Sequence, residues 1–332
     1  MEKLIKILNL NKKSLINILA GLFLAGICLY FVFSKIQLGQ IIKAFDSANL
    51  LYLVLAIVVS ILSHVIRALR FVLLLKPLCN RSISLFNCFA TIMFGYTINL
   101  AIPRAGELAR TYYLANLEDL PISLILPTVI IDRLLDIMML ALLACLSLYF
   151  LPAHIAQNLP WLKNTALMLS CMAGAGFILL PVLPKVLEKI SKTIKISQIE
   201  HILKQIEQGV QCLNSPKYYP QILSYSFFMW FMYFLNYLCV FKSLHLFNLI
   251  SLNIMFTTFL VGSLSVLIPT PGCVGSFHLM VSETLNHIST ISIDNAIIFA
   301  TVLHFTCFII STILPAGFCM LILAYKKFKR KI

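Results

Sequence analysis

Charge is what this sequence has least of. Among 332 residues only 12 are Asp or Glu, and charged residues of both signs make up 11% of the chain. A soluble domain carries about 25% charged residues, so a soluble enzyme and a disordered chain are both excluded. No two of the ten cysteines have C-x-x-C spacing, and most lie inside apolar runs. That excludes a secreted disulfide scaffold and leaves them as small buried hydrophobes. The seven histidines show neither H-x-x-x-H nor H-E-x-x-H spacing, so no metal site is expected, and no cofactor. What the chain has in abundance is hydrophobic residues, 60% of the total, more than a globule of this size can hide. The expected class is an all-α, polytopic integral membrane protein, a single membrane domain over residues 1–332.

The net charge of +14 has two readings. A nucleic-acid binder needs a folded basic surface, and almost none of this chain is soluble. The basic residues are therefore read as topology markers of cytoplasmic loops, and no nucleic-acid partner is expected. Eight apolar segments follow one another: Leu15–Phe33, Leu51–Leu75, Ser84–Ile102, Ile122–Leu151, Thr165–Leu183, Gln221–Phe241, Asn253–Ile268 and Asn295–Tyr325. The first is too long for a signal-peptide core, and no cleavage site follows it. Between the fifth and sixth, Ser197 and Glu200 form a capping box ahead of Ile199, Ile202, Leu203, Ile206, Val210 and Leu213. This predicts a cytoplasmic amphipathic helix over 197–213, lying on the membrane surface.

If all eight segments cross, the lysine-rich Pro184–Tyr219 loop falls outside the cell, against the positive-inside rule. Two segments contain breaks. One is Asn99–Gly106, with Pro103 and Gly106; the other is Ile268–Gly275, with Pro269, Pro271, Gly272 and Gly275. If these two enter and return as hairpins, 19 basic residues face the cytoplasm, four face outward and Arg67, Arg70 and Arg133 lie within helices. The expected fold thus has six full crossings and two re-entrant hairpins, with both termini cytoplasmic. The halves, about 15–151 and 165–325 joined at 152–164, repeat the same order in opposite orientation. Broken segments at matching positions of inverted halves mark the binding site in many transporters.

Arg104, Glu107 and Arg110 are spaced three apart, which would put them on one helix face. Pro103 suits the first turn of the rising half-helix, whose free amides would attract an anion. An ordinary loop followed by a surface helix is the alternative. Asp132, Arg133 and Asp136 sit inside the fourth segment, either as a structural ion pair or as a coupling site. Arg67 and Arg70, with His64, share a face of the second segment; they either snorkel to the cytoplasmic interface or contact a substrate headgroup. The second tip is a ligand-coordinating backbone or only a tight break. His278, Glu283 and His304 are the titratable groups near it.

Asn99-Leu-Ala-Ile-Pro-Arg-Ala-Gly-Glu-Leu-Ala-Arg110, Asp132-Arg-Leu-Leu-Asp136 and Ile268-Pro-Thr-Pro-Gly-Cys-Val-Gly275 together resemble the lysylphosphatidylglycerol synthase transmembrane family, also called flippase-like. The helix of Arg67 and Arg70, ending in Leu-Leu-Leu-Lys-Pro, fits as well, and the resemblance covers roughly residues 15–325. It implies a bacterial or archaeal plasma-membrane protein that handles lipids. The chain ends at Ile332, directly after its last segment, so the synthases' soluble aminoacyl-transferase domain is expected to be absent and the protein is not expected to be an enzyme. Two departures stand out. Family members commonly read Pro-Gly-Gly-x-Gly-x-x-Glu at the second tip, where this chain has Cys273 for the second Gly and His278 for the Glu. Many carry an arginine where this chain has His304.

The expected function is a flippase-like transporter that moves an anionic or phosphate-bearing lipid headgroup. Arg104, Glu107, Arg110, Arg67 and Arg70 would bind it, while Asp132, Arg133, Asp136 and His278 would act in coupling or ion pairing. Two alternatives stay open. One is a membrane-embedded lipid-modifying transferase with Glu107 or Asp132 as general base; the other is a non-transporting partner of a glycosyltransferase or synthase.

Overall fold

The computed structural model describes residues 36–79, 81–150 and 216–329, with short pieces among 23–34 and 164–189. The expected first and fifth segments, the joint at 152–164 and the amphipathic helix at 197–213 fall wholly or in large part outside the described residues. Among the described residues there is no strand.

The first described helix, α1 (Leu38–Ser47), lies outside the expected segments. Its signal is the helical spacing of Leu38, Ile41, Ile42 and Phe45, and its start is held by the Gln37 amide donating to Gln40 Oε1 at 3.1 Å. Asn49 caps the long helix α2 (Leu50–Leu75) by accepting from the Leu51 amide; Pro77 ends it in a short 3₁₀ turn. Next come α3 (Leu85–Ala101) and α4 (Ala105–Glu118). Proline forces the residue before it out of the helical region, and Ile102, ahead of Pro103, is accordingly extended (φ −126°, ψ 109°). The chain therefore reverses there and α4 runs back along α3. Gly95 and Gly106 let the two backbones touch; a Cβ at either would strike the other's carbonyl. At the open end, Glu118 accepts from the Ser84 amide (3.2 Å) and Asn87 Nδ2 (2.7 Å).

The helix α5 (Ile122–Phe150) is 29 residues long and contains Pro127. After the next described stretch begins, the order repeats: a long helix α6 (Tyr219–Ser243), a second hairpin made of α7 (Leu252–Ser265) and α8 (Ser276–Ile288), and a long terminal run. That run consists of α9 (Ile293–His304), a π-helical turn at Phe305–Ile310 and α10 (Ser311–Lys329). The break between α7 and α8 has the same cause as the first. Thr270, ahead of Pro271, is extended, and Gly272, Cys273 and Gly275 all have positive φ.

Among the described residues, three stretches are long and apolar enough to cross a membrane: Leu50–Leu78, Tyr219–Ser243 and Ile293–Lys326. By contrast α4 and α7 have 14 residues and α8 has 13. At about 1.5 Å per residue these reach only ~20 Å, short of a hydrocarbon core of about 30 Å.

Helices α2 and α6 pack along one another at the centre. Around them α3 lies against α10, and α7 lies against α5, so each hairpin leans on the long helix of the other group. The hairpin tips meet: Arg104 Nη2 donates to the Leu267 carbonyl at 3.0 Å, and Gly272 sits against Leu100. Apolar side chains dominate the exterior, Leu50 being 70% and Leu321 72% exposed, whereas Arg70 and Asp132 are fully buried. A protein with oil outside and charge inside is arranged for lipid rather than for water.

Candidate functional site

Four helices bring the buried charge together. Arg67 and Arg70 lie one turn apart on α2, Asp132, Arg133 and Asp136 on α5, and Arg110 two turns into α4. Arg70 Nε and Nη2 both donate to Asp132 Oδ1 (3.0 and 2.6 Å), and Nη2 also reaches Asp136 Oδ1 at 2.7 Å. Arg67 Nη1 donates to Asp136 Oδ2 at 2.6 Å, and Arg110 Nη2 to Asp132 Oδ2 at 3.1 Å. Both oxygens of each aspartate are thus taken by guanidinium groups. Such buried charges persist only when paired and hydrogen-bonded.

The fourth wall is α6, which sequence reading left out of the site. Ser226 accepts from Arg70 Nη1 at 2.9 Å and Tyr233 from Arg67 Nη2 at 3.1 Å. Their signal was available: two hydroxyl residues seven apart, on one face of a helix. Tyr96 on α3 and Phe71 on α2 complete the enclosure. The guanidinium carbons of Arg67 and Arg133 each lie 5.9 Å from the Tyr96 ring, and that of Arg110 lies 4.5 Å from Phe71, within cation–π range.

The cluster is not neutral. Arg67, Arg70 and Arg110 outnumber Asp132 and Asp136, and the pairing of Arg133 with Glu107 (3.6 Å) is looser. Donors remain over. Nε and Nη1 of Arg110, Nε and Nη2 of Arg133 and Nε of Arg67 are buried and have no hydrogen-bond partner in the protein. Guanidinium forks with unused donors are anion ligands.

Several expected placements are changed by the structure. Helix α4 begins at Ala105, so Pro103 precedes it instead of forming its first turn. Arg104 caps the helix in a left-handed conformation (φ 62°), which turns it away from the Glu107 and Arg110 face and across to the second hairpin. Two of the half-helix amides are already taken: Ala105 N–H donates to the Ile102 carbonyl and Gly106 N–H to Asn99 Oδ1 at 2.7 Å. Arg67 and Arg70 do not snorkel; they are 3% and 0% exposed and point inward. His64 is buried beside Tyr96, with ring centroids 5.3 Å apart.

At the second tip, Pro269, Pro271, Gly272 and Gly275 form the break and His278 lies just inside α8. These residues stand apart from the arginine cluster. His304 on α9 contacts them, its Nε2 lying 2.8 Å from the Gly272 carbonyl.

Long apolar helices with broken hairpins between them and charge held inside define a polytopic α-helical membrane protein. Residues 18–314 match the family described as "Lysylphosphatidylglycerol synthase TM region", and the chain belongs to that family. It is also similar to the UPF0104 membrane protein MJ1595 of Methanocaldococcus jannaschii, with 28% identity over 228 residues. That match spans 64% of this chain and 64% of the relative. No solved structure matches the chain.

Proposed function

We propose that the protein is a flippase-like transporter of the prokaryotic plasma membrane that moves an anionic, phosphate-bearing lipid headgroup between leaflets. The carrying observation is the surplus of buried arginine beside the first hairpin, with the donors of Arg110 and Arg133 left over after both aspartates are satisfied. A phosphate offers several acceptor oxygens at once and would complete those forks. Asp132 and Asp136 hold the arginines in place, with Ser226 and Tyr233 steadying the far side. Arg104, at the contact between the tips, acts in relative movement of the hairpins rather than inside the headgroup site.

The mechanical reading rests on two inverted halves. Each described group runs long helix, hairpin, long helix, and their mutual packing is reciprocal, α3 on α10 and α7 on α5. Hairpins too short to cross, with both termini cytoplasmic, fit the charge distribution. Rocking of one half against the other around the meeting tips would expose the arginine cluster to each leaflet in turn.

A general-base role in lipid transfer finds less support for Asp132, because no oxygen of Asp132 is left for a substrate; Glu107, whose Oε2 is buried and makes no hydrogen bond, is the residue on which that reading rests. The test is translocation of headgroup-labelled lipids in proteoliposomes. Transport of a phosphate-bearing lipid by the wild type and its loss in Arg110→Ala is the expected result; equal rates in both, over neutral and anionic headgroups, would overturn the reading.

A further inference from the structure

The arginine cluster holds unused acceptors as well as unused donors. His64 is 7% exposed, and neither of its ring nitrogens has a hydrogen-bond partner among the described residues. Glu107 Oε2 is buried and equally unmatched. The other oxygen of Glu107 lies 3.6 Å from Arg133 Nε, too far for a hydrogen bond. A carboxylate can only accept, and an imidazole with one N–H accepts at its second nitrogen. The phosphate of a phosphodiester satisfies neither, because it has no hydrogen to give.

Both acceptors stand on the same side of the arginines. His64 precedes Arg67 by three residues on α2, and Glu107 precedes Arg110 by three on α4. The two helices run in the same direction: α4 returns along α3, and Arg81 and Ser84, which follow α2, meet Glu118 at the end of α4. Three residues of helix rise about 4.5 Å. An acceptor layer therefore lies roughly one turn from the arginine layer, on the side of the first hairpin tip. Tyr96 links the layers, its ring centroid 5.3 Å from that of His64 and 5.9 Å from the guanidinium carbons of both Arg67 and Arg133.

We propose that His64 and Glu107 form a subsite for the hydroxyls of a neutral alcohol esterified to the phosphate, so that the lipid carried is a monoanionic phosphodiester of a small polyol. The proposal rests on the phosphate reading above and narrows it. A hydroxyl both donates and accepts. It can give its hydrogen to Glu107 Oε2 or to a His64 ring nitrogen while accepting from the unused Nε or Nη2 of Arg133. A polyol of a few carbons spans the step between the layers. An ammonium headgroup has donors only, and it would face Arg133 with charge of the same sign. The charge count agrees. Arg67, Arg70, Arg110 and Arg133 against Glu107, Asp132 and Asp136 leave a surplus of one positive charge, which a monoanionic headgroup cancels. A zwitterionic headgroup leaves that surplus buried, and a net-cationic one doubles it, at a cost in both cases.

Native mass spectrometry of the full chain in detergent, titrated with phosphatidylglycerol or phosphatidylethanol of the same acyl chains, tests this. Both lipids are monoanionic phosphodiesters, and only the first bears headgroup hydroxyls. The wild type is expected to bind phosphatidylglycerol about tenfold more tightly than phosphatidylethanol, and to bind phosphatidylethanolamine no better than the latter. In Glu107→Met and in His64→Phe the preference for the hydroxyl-bearing lipid should fall to about threefold or less, while Glu107→Gln, which keeps an acceptor oxygen, should retain more of it. If Glu107→Met fails to fold, His64→Phe carries the comparison alone. Equal affinity of the wild type for the two anionic lipids, a preference unchanged in both variants, or tighter binding of phosphatidylethanolamine would overturn the subsite and leave the phosphate reading standing. Arg110→Ala, by contrast, should weaken both anionic lipids alike. If it weakens neither, or if the wild type binds neither, the phosphate reading falls and takes the subsite with it.

Discussion

Arg70 and Asp132 hold each other from different helices, with two guanidinium nitrogens on one carboxylate oxygen at 3.0 and 2.6 Å and neither side chain exposed. The pair ties α2 to α5 at the level where Arg67, Arg110 and Asp136 also converge. Removing one partner of a buried pair strands the other's charge, at a cost of about 3–5 kcal/mol, while exchanging both for apolar residues of similar volume is far milder. Arg70→Ala and Asp132→Ala are each expected to lower the melting temperature sharply in detergent. The Arg70→Met, Asp132→Leu double variant should recover much of the loss. A double variant no better than either single one would mean that the wider network, not this pair, sets stability.

Arg110 makes one carboxylate contact and keeps two unused nitrogens. Its replacement should cost less stability than that of Arg70 but more activity. Arg110→Ala is expected to reduce headgroup translocation by about tenfold or more, the equivalent of losing one charge-assisted hydrogen bond. Arg110→Lys should fall between the two, because an ammonium keeps the charge without the fork. Native mass spectrometry of bound anionic lipid would show the same order.

Gly106 has no room for a side chain, since a Cβ there meets the backbone of Gly95 and the side chain of Asn99. Gly106→Val should therefore part α3 from α4 and destabilise the fold by at least the 1–3 kcal/mol typical of overpacking, roughly. The Gly106 amide would lose its Asn99 acceptor at the same time. Thermal unfolding followed by size exclusion measures this, and an unchanged melting curve would contradict the close approach.

The lysine-rich loop before α6 contains Cys212, which lies outside the described residues. With the two hairpins re-entrant, this thiol faces the cytoplasm. A membrane-impermeant maleimide should label it in inside-out vesicles and not in intact cells. Labelling from outside would require the first broken segment to cross the membrane fully, and the inverted halves would be lost with that result.

Much of this architecture was legible beforehand because proline acts locally. Pro103 and Pro271 restrict the residue before them whatever the surroundings, so both breaks could be placed from sequence, and Ile102 and Thr270 are extended as that rule requires. Helix α1 was missed because ten residues fall below the length that an apolar-segment search detects. Ser226 and Tyr233 were missed because their one signal, two hydroxyls seven apart on a helix face, does not say which charges they meet; their partners Arg70 and Arg67 lie on another helix.

The sequence by itself determined the membrane class, the two broken segments and the shortlist of charged residues, since apolar content, proline and intramembrane charge each act through short-range physics. Only the tertiary structure decided which charges share a site. Spacing placed Arg104 with Arg110, but a left-handed residue at the helix start separates them, and Arg67, Arg70 and Asp132 come together across helices more than 60 positions apart in sequence. Pairing among buried charges depends on distances between helices, and those are set by side-chain packing and close contacts such as Gly95 with Gly106.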